Sequence, residues 1–250
     1  MNLGTPIAIG NTAKIYLYNN RIYKVFNDYL PDTVSFIESK KHKYAYSCGL
    51  SVPKIIDVTK IDGKQTIIME FIKGRTIGDI LSENMDQAEY YLNISVDIQQ
   101  KIHDVEAKAD SIEHMTEKLS RQIDSATSLD NRYKSALIQK LNRMTFKSKL
   151  CHGDFHLFNL ILSDNNVTIL DWVDASAGDF RADVYRTYLL YSQFSNELAE
   201  MYLGLYCGKS GLVKDEVLQW APIIAAARLS EIVPSENPER LLDIINQYCP

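Results

Sequence analysis

The segment from 149 to 172 constrains the fold more than any other part of this 250-residue chain. Its apolar residues change from a helical spacing to an alternation with a period of two, which is typical of strands. Residues 149–151 are predicted to form a short strand, and residues 160–162 and 167–170 a hairpin that turns at 164–166. The segment is therefore predicted to be a strand, a loop and a hairpin in succession.

Three polar residues mark the ends of these predicted strands. Asp154 lies in the loop after the first strand, Asn159 stands where the hairpin begins, and Asp171 ends its second strand. Because polar groups can meet at strand ends without disturbing a core, these side chains are candidates for one site. Phosphoryl transfer needs a carboxylate to orient the acceptor hydroxyl and hard oxygen ligands for Mg²⁺, so the pattern favours that chemistry.

The composition is that of a folded protein with an acidic balance. The chain is 46% hydrophobic and 24% charged, enough to bury a sizeable core in one large domain or two small lobes. Because the formal net charge is −5, neither a nucleic-acid nor a membrane partner is expected. The first residues lack the basic and apolar regions of a signal peptide, and no apolar stretch approaches the length of a membrane span.

The four cysteines indicate a reducing compartment. Cys48, Cys151, Cys207 and Cys249 are scattered without a C-x-x-C pair, so neither a disulfide framework nor a zinc site is predicted. With no signal-peptide pattern, the expected location is the cytoplasm.

Periodicity divides the chain into a sheet-rich part and a helical part. A helix is predicted between Pro31 and Gly49, because Gly is a natural helix stop, and further helices from Thr76 to about Lys147 and after Asp179. The early strands are predicted at residues 7–9, 13–18, 21–26, 52–58 and 65–71, with Asn19-Asn20 and Asp62-Gly63 as tight turns. A composition shift at Lys73-Gly74-Arg75 predicts a hinge, with the domains at residues 1–72 and 73–250.

The polar segment resembles a known family. Residues 152–154 (His-Gly-Asp) followed by Asn159, and then Asp171-Trp172, are similar to the H-G-D-x-x-x-x-N and D-W signatures of aminoglycoside phosphotransferase and choline kinase-like enzymes. The resemblance implies an α+β, bilobal protein-kinase-like fold, with a small N-terminal antiparallel sheet lobe carrying one helix and a larger, mostly helical C-terminal lobe. It implies that Asp154 is the catalytic base and that Asn159 and Asp171 are Mg²⁺ ligands.

The resemblance also implies a nucleotide site in the N-terminal lobe and an acceptor site in the C-terminal lobe. Lys24 corresponds to the family's phosphate-contacting lysine, and Glu38 to the glutamate that pairs with it. Residues 69–72 resemble the hinge strand, whose backbone would hold the purine edge, and residues 10–13 occupy the phosphate loop with a single glycine. The residues assigned to the nucleotide are Lys24, Glu38, Thr12, Glu70 and Ile72.

Several of these residues have simpler interpretations. A lysine on a strand usually faces solvent, and Glu38 lies among three lysines of its own predicted helix, so it could belong to a surface ion pair. His152 and His156 are four residues apart, but no third zinc ligand is positioned, and His152 is expected to brace the loop instead. Asp179 and Asp183 are expected to cap a helix and to support the loop backbone.

The preferred hypothesis is a Mg²⁺-dependent kinase that moves the γ-phosphate of ATP or GTP to a hydroxyl of a small molecule. The acceptor could be an aminoglycoside-like antibiotic or an amino-alcohol or sugar metabolite. One alternative is a pseudokinase that binds nucleotide without catalysis. Another is a protein kinase, which is disfavoured because Gly153 replaces the arginine and Asp171-Trp172 replaces the D-F-G of those enzymes.

The acceptor and the oligomeric state, monomer or dimer, stay open. Residues 189–250 contain eight acidic residues against four basic ones. If part of that surplus lines the acceptor pocket, a cationic, amine-bearing acceptor is favoured; the alternative is a set of solvated helix faces.

Overall fold

The computed structural model describes residues 2–107, 111–164 and 166–248, and it confirms the predicted α+β fold. The strands are β1 Ala8–Ile9, β2 Ala13–Tyr18, β3 Arg21–Phe26, β4 Ile55–Ile61, β5 Lys64–Glu70, β6 Arg75–Thr76, β7 Lys149–Cys151, β8 Leu160–Ser163, β9 Asn166–Ile169 and β10 Ser176–Gly178. The helices are α1 Val34–Ser47, α2 Ile77–Glu83, α3 Ala88–Asp104, α4 Met115–Ser125, α5 Asn131–Arg143, α6 Phe180–Ser192, α7 Asn196–Ser210, α8 Lys214–Leu218, α9 Ala221–Leu229 and α10 Pro238–Tyr248.

The chain forms two compact units. The first contains the chain up to Glu83 together with Leu157–Asp174, and the second contains Asn84–His156 and the chain from Ala175 onward. The first unit is therefore built from two separate stretches of sequence. The division at residues 72 and 73 stays a prediction.

A five-stranded antiparallel sheet forms most of the first unit, in the order β1-β2-β3-β5-β4. Asn19 and Asn20 both have positive φ, 47° and 57°, which matches the right-handed twist of a two-residue hairpin and confirms the predicted turn. Register follows from that turn, so Lys24 of the central strand lies between Ile15 of β2 and Ile67 of β5.

Helix α1 packs against β4 and β5 of this sheet, and its buried residues are mainly polar. The core of the sheet is Ala13, Phe26 and Ile67, with partly buried aliphatic side chains around it. On α1, Glu38, Lys41, His42 and Ala45 are buried, at spacings that place them on one side of the helix. Buried polar groups need partners. The Nε2 atom of His42 accordingly lies 2.6 Å from the Pro53 carbonyl, and Lys41 donates to the Val173 carbonyl at 2.8 Å.

The hairpin β8–β9 completes the first unit. It forms a three-stranded sheet in the order β6-β8-β9, and the Ile169 amide donates to the Ser51 carbonyl at 2.8 Å. Trp172, just after the hairpin, is fully buried.

The second unit is mostly helical. Helix α9 is buried along its whole length and packs against α4 and α10, while α3 packs against α7 and β7. A short strand that the sequence did not predict, β10, pairs with β7, so that Ala177 faces Leu150. Within the described residues, none of the helices is both long and apolar enough to cross a membrane. Cys48, Cys151 and Cys207 are free thiols, and Cys249 lies outside the described residues.

Candidate active site

The first unit holds a buried lysine between two carboxylates. Lys24 Nζ donates to Glu38 Oε1 at 2.6 Å and to Asp171 Oδ1 at 2.9 Å, and its side chain is 9% exposed. Strand alternation and the central place of β3 direct Lys24 to this position, and the polar side of α1 supplies Glu38. Glu38 therefore belongs to a buried pair and not to a surface pair on its own helix.

This arrangement keeps Lys24 charged. Burial opposes the charged form, but Asp171 and Glu38 outweigh burial and raise the pKa of the Lys24 ammonium. Burial raises the pKa of Glu38, and contact with Lys24 offsets part of that effect. The Oε2 atom of Glu38 is buried and has no hydrogen-bond partner among the described residues, so only one of its oxygens is used.

Asp171 and Asn159 lie at the open end of the β8–β9 hairpin. The Leu170 amide donates to the Asn159 carbonyl at 2.8 Å, which extends the ladder one step beyond the strands. Asp171 follows with a φ of 57°, in the left-handed region that Asp tolerates better than most residues. Lys41 holds the segment just after it through the Val173 carbonyl.

The residues at this end of the hairpin fit a magnesium ion. The Asp171 side chain is 39% exposed, although one of its oxygens accepts from Lys24, and Asn159 is half-buried. Both offer oxygen, which is the atom that Mg²⁺ prefers. One or two protein ligands are typical of Mg²⁺ sites, because water and phosphate complete the octahedron.

The remaining residues predicted for the nucleotide also belong to the first unit. Thr12 is exposed in the loop before β2, where its carbonyl accepts from the Asn27 amide at 2.9 Å. Glu70 is the last residue of β5, and its amide donates to the Lys54 carbonyl at 2.9 Å. Ile72 is half-buried just after the strand ends. Their contact with a nucleotide stays a prediction.

In the second unit, Asp183 braces the loop that carries Asp154. The amides of His152 and Gly153 donate to the two Asp183 oxygens at 3.1 and 2.6 Å. Gly153 has a φ of 82°, a conformation that costs other L-residues about 1–2 kcal/mol, so a glycine suits the loop here. His152 is fully buried, and its Nδ1 accepts from the Asp154 amide at 3.3 Å, which confirms its predicted bracing role.

Asp183 is itself held by His103, whose Nε2 lies 2.9 Å from Oδ2. The other ring nitrogen of His103 lies 2.6 Å from the Tyr206 hydroxyl. Burial opposes ionisation of Asp183, but the hydrogen bond from His103 and the nearby charges lower the pKa of Asp183 overall. His103, Cys151 and Asp183 could geometrically hold a metal ion. Because both His103 nitrogens are already engaged, we interpret the cluster as a hydrogen-bonded brace.

Asp154 lies between two basic side chains. Its Oδ2 is 3.5 Å from His156 Nε2 and its Oδ1 is 3.5 Å from Arg186 Nη2, with the side chain 26% exposed. Burial alone would raise the pKa of the Asp154 carboxyl, but the hydrogen bond from His156 and the charge of Arg186 hold that pKa well below its ordinary value. Asp154 is therefore ionised at neutral pH.

The geometry can be compared with known proteins at this point. The model of the phosphotransferase enzyme family matches residues 37–220, which is most of the chain. The chain belongs to the phosphotransferase enzyme family. A comparison with curated proteins gave no match.

Solved structures show the same fold for this phosphotransferase. A thermostable mutant of aminoglycoside phosphotransferase APH(4)-Ia, in its apo form, is 12% identical with a TM-score of 0.74, over 98% of this chain and 94% of that one. A choline/ethanolamine kinase family protein from Mesorhizobium loti is 13% identical with a TM-score of 0.64, over 99% and 88%. ADP-bound APH(2'')-Ib is 16% identical with a TM-score of 0.61, over 99% and 93%.

Sequence reasoning missed Arg186 and Glu231 of this phosphotransferase. Arg186 Nη2 donates to Glu231 Oε2 at 2.8 Å as well as lying close to Asp154. A signal for Arg186 was present, because an arginine interrupts the run of mainly apolar and aromatic residues in α6. For Glu231 the sequence offered only its membership of the acidic surplus after residue 189.

Proposed function

We propose that this phosphotransferase moves the γ-phosphoryl group of ATP or GTP to a hydroxyl of a small molecule. The observation that carries the proposal is the ion-pair cluster of Lys24, Glu38 and Asp171, which places a buried ammonium beside a partly exposed carboxylate. Neither a purely structural pair nor a surface pair explains why the side chain of Asp171 stays partly exposed at the end of a hairpin.

In the first unit, each residue of the cluster has a proposed task on the donor side. Lys24 binds the α- and β-phosphates, and Glu38 fixes the lysine. Asp171 and Asn159 would hold Mg²⁺, which supplies neutralisation of phosphate charge when bound. The backbone at Glu70 and Ile72 would bind the purine edge, and Thr12 and the amides of its loop would bind phosphate.

In the second unit, Asp154 has the proposed task on the acceptor side. It accepts a hydrogen bond from the acceptor hydroxyl and so aims the oxygen at the γ-phosphorus. The new P–O bond forms, the bond between the γ-phosphorus and the β–γ bridging oxygen breaks, and the nucleoside diphosphate leaves with the electron pair. Because its low pKa makes Asp154 a weak base, it serves mainly to orient the hydroxyl and receives the proton late in the transfer.

The solved complexes support a nucleotide donor. Two structures with this fold are complexes, one of APH(4)-Ia with ADP and hygromycin B and one of APH(2'')-IIa with streptomycin and ATP. Both proteins share the fold at 12% and 16% identity.

Three of the eight acidic residues after residue 189 are paired within the protein, which weakens the support that the acidic surplus gives to a polycationic acceptor. Glu231 and Glu236 are both held by arginines, and Glu200 is held by Lys214 at 2.6 Å. Their negative charges are therefore largely neutralised within the protein. A hydroxyl acceptor with at most one positive charge, such as a sugar or an amino alcohol, fits these paired acidic residues better than a polycationic aminoglycoside.

The experiment is a coupled assay of ADP or GDP release across aminoglycosides, amino alcohols and sugars, with Asp154→Ala as the test variant. The wild type should turn over at least one acceptor, and Asp154→Ala should lose about 10²–10⁴-fold in kcat while keeping nucleotide affinity. Asp97→Ala, at an exposed aspartate of α3, is the matched control and should keep full activity. Mg²⁺-dependent nucleotide binding without turnover would indicate a pseudokinase, and phosphorylation of protein substrates alone would indicate a protein kinase.

A further inference from the structure

Arg186 makes two acidic contacts at once from the buried side of α6. Its side chain is 7% exposed, and its Nη2 lies 3.5 Å from Asp154 Oδ1 and 2.8 Å from Glu231 Oε2. A buried guanidinium in such a place is constrained, because a planar side chain cannot swing between two carboxylates without losing one of them.

The contacts continue beyond Glu231 to the last helix. Arg228 donates to Glu231, and its Nε donates to Glu236 Oε2 at 3.2 Å. Arg240 of α10 donates to the other oxygen of Glu236 at 2.8 Å. Arg228 and Glu236 are both buried, with 7% and 9% exposure. Acidic and basic residues therefore alternate from Asp154 to α10, and we call this series the charge chain: Asp154, Arg186, Glu231, Arg228, Glu236 and Arg240.

We propose that Arg186 is a positioning residue that fixes the orientation of Asp154, and that Glu231 and Arg228 in turn fix Arg186. The inference rests on the proposed function for the role of Asp154, but the contact itself does not. In this arrangement the C-terminal residues stabilise the loop after β7 through ion pairs, and no residue of the charge chain other than Asp154 touches the acceptor.

The alternating order explains why the charge chain holds Asp154 more firmly than one ion pair would. Removing a single buried partner leaves an uncompensated charge, so each member disfavours rotation of its neighbours. The charged or titratable groups that face Asp154 are His152, His156 and Arg186. Arg186 is the one of these three whose charge does not vary with pH in the working range.

The test compares Arg186→Met, Arg186→Lys and a matched control. Methionine keeps much of the apolar volume and removes the charge, whereas lysine keeps the charge with one donor nitrogen. Arg121→Met is the control, since Arg121 is an exposed residue of α4 in the same unit and the substitution breaks its ion pair with Glu113. The first measurement is the titration midpoint of the Asp154 carboxyl by NMR with ¹³C-labelled aspartate, with Asp154→Asn identifying the signal.

Loss of a positive charge beside a carboxylate raises its pKa, so Arg186→Met should move the Asp154 midpoint up by about one pH unit or more. In the pH profile of kcat, the pH at which activity falls on the acidic side should rise by the same amount. Arg186→Lys should keep the midpoint nearer to wild type and retain more turnover than Arg186→Met. Arg121→Met should change neither quantity.

An unchanged midpoint and an unchanged acidic limb in Arg186→Met would overturn the proposal, as would turnover in Arg186→Met equal to that of Arg186→Lys. If Arg186→Met does not fold, the proposal is tested with Arg186→Lys and Glu231→Gln instead. Both should lower kcat about 10- to 100-fold with the nucleotide KM unchanged, because a misplaced group slows the transfer without weakening donor binding. If the wild type turns over no acceptor, the proposed function fails, and the NMR midpoint still tests the Arg186 contact.

Discussion

The carboxylate of Asp183 is surrounded by four neighbouring groups. It accepts hydrogen bonds from the amides of His152 and Gly153, His103 Nε2 lies 2.9 Å away, and Gln99 Nε2 donates to Oδ2 at 3.5 Å. Its side chain is fully buried. A carboxylate is the only side chain of this size that accepts from all of these donors, so its charge determines the shape of the loop that carries Asp154.

Asp183→Asn should therefore destabilise the protein by about 1–3 kcal/mol, because the amide NH₂ faces a donor and leaves a buried group unsatisfied. Urea unfolding measures this change. Asp97→Asn, which affects an exposed aspartate, should stay within about 0.5 kcal/mol of wild type. A loss no larger than that of the control would show that the loop does not depend on the Asp183 charge.

The stabilisation from Asp183 should also depend on pH, with a predictable sign. Its pKa is lower in the folded protein than in the unfolded chain, because hydrogen bonding outweighs burial. The unfolded state then binds more protons in acid. The stability difference between wild type and Asp183→Asn should be full above about pH 4, the ordinary aspartate range, and should shrink as the pH falls below it. A difference that does not change between pH 6 and pH 3 contradicts this assignment.

Lys24 gives a test that separates stability from binding. Lys24→Met leaves Glu38 buried beside an apolar side chain and should cost about 3–5 kcal/mol in urea unfolding. It should also weaken nucleotide binding about 10- to 100-fold by calorimetry, through the loss of charge-assisted hydrogen bonds. The double variant Lys24→Met/Glu38→Leu should regain stability without regaining nucleotide affinity. Lys60→Met, an exposed lysine of β4, is the control. Recovery of affinity in the double variant would show that Lys24 does not contact phosphate.

At the residue scale, the sequence predicted contacts that follow from short motifs. The pairing of Lys24 with Glu38 and the bracing by His152 are present. The bond between Lys24 and Asp171 and the contact of Arg186 with Glu231 were not predicted, because their partners are 147 and 45 residues apart. Local periodicity contains no information on which distant side chains meet.

At the level of single elements, α7 has two kinds of glycine. Ser195 caps its start by accepting from the Leu198 amide at 3.2 Å, and Gly211 ends it with a φ of 77° and an amide bonded to the Cys207 carbonyl. Gly208 lies inside the helix, and a Cβ added there would meet nothing within 4 Å. The two positions therefore differ in backbone conformation and share open space around the substituted atom.

These glycines should respond to alanine with opposite signs. Gly208→Ala should stabilise the protein by about 0.5–1 kcal/mol, since alanine loses less backbone entropy in a helix. Gly211→Ala should destabilise it by about 1–2 kcal/mol, because the left-handed conformation brings Cβ against the following carbonyl. Urea unfolding of both variants checks the pair, and each serves as the control for the other. Shifts of the same sign would mean that α7 does not end at Gly211 in solution.

Element prediction succeeded where side-chain pattern and turn chemistry agreed. β2 and β3 lie at the predicted residues because Asn19 and Asn20 fix the hairpin. β10 was missed because Ser176–Gly178 has three small residues and no alternation. Packing explains the glycine in this strand. A Cβ on Gly178 would lie 2.3 Å from Met115 Cβ, so glycine is needed for the close approach of α4.

At the scale of the whole molecule, the first unit is completed by a later stretch of the sequence, Leu157–Asp174. Residues up to Glu83 form the sheet and α1, but β6 pairs with β8, and one of the two carboxylates that accept from Lys24 is that of Asp171. The fold class was predictable because motif, periodicity and turn signals agreed. The composition of the first unit from two stretches was not, since no local signal marks residues 157–174 as partners of an earlier part.

A fragment ending at Glu83 should therefore fold poorly. It lacks the hairpin that bonds to Ser51 and β6, and its amide NMR spectrum should be poorly dispersed. The same fragment joined through a Gly/Ser linker to residues 157–174 should give a better dispersed spectrum, because those contacts return. Equal dispersion of the two spectra would show that the sheet and α1 fold without residues 157–174.

The order of synthesis on the ribosome gives this two-stretch architecture a further consequence. Once Glu83 has been added to the growing chain, the whole of Asn84–His156 must be translated before β8 and β9 are made. At about 5–20 residues per second, the early residues wait for several seconds without the hairpin that completes their unit. During that time Asp171, which accepts from Lys24 in the folded protein, has not yet been made. The nascent chain is then most exposed to chaperones and proteases, so its yield in cells should depend on translation speed through this interval.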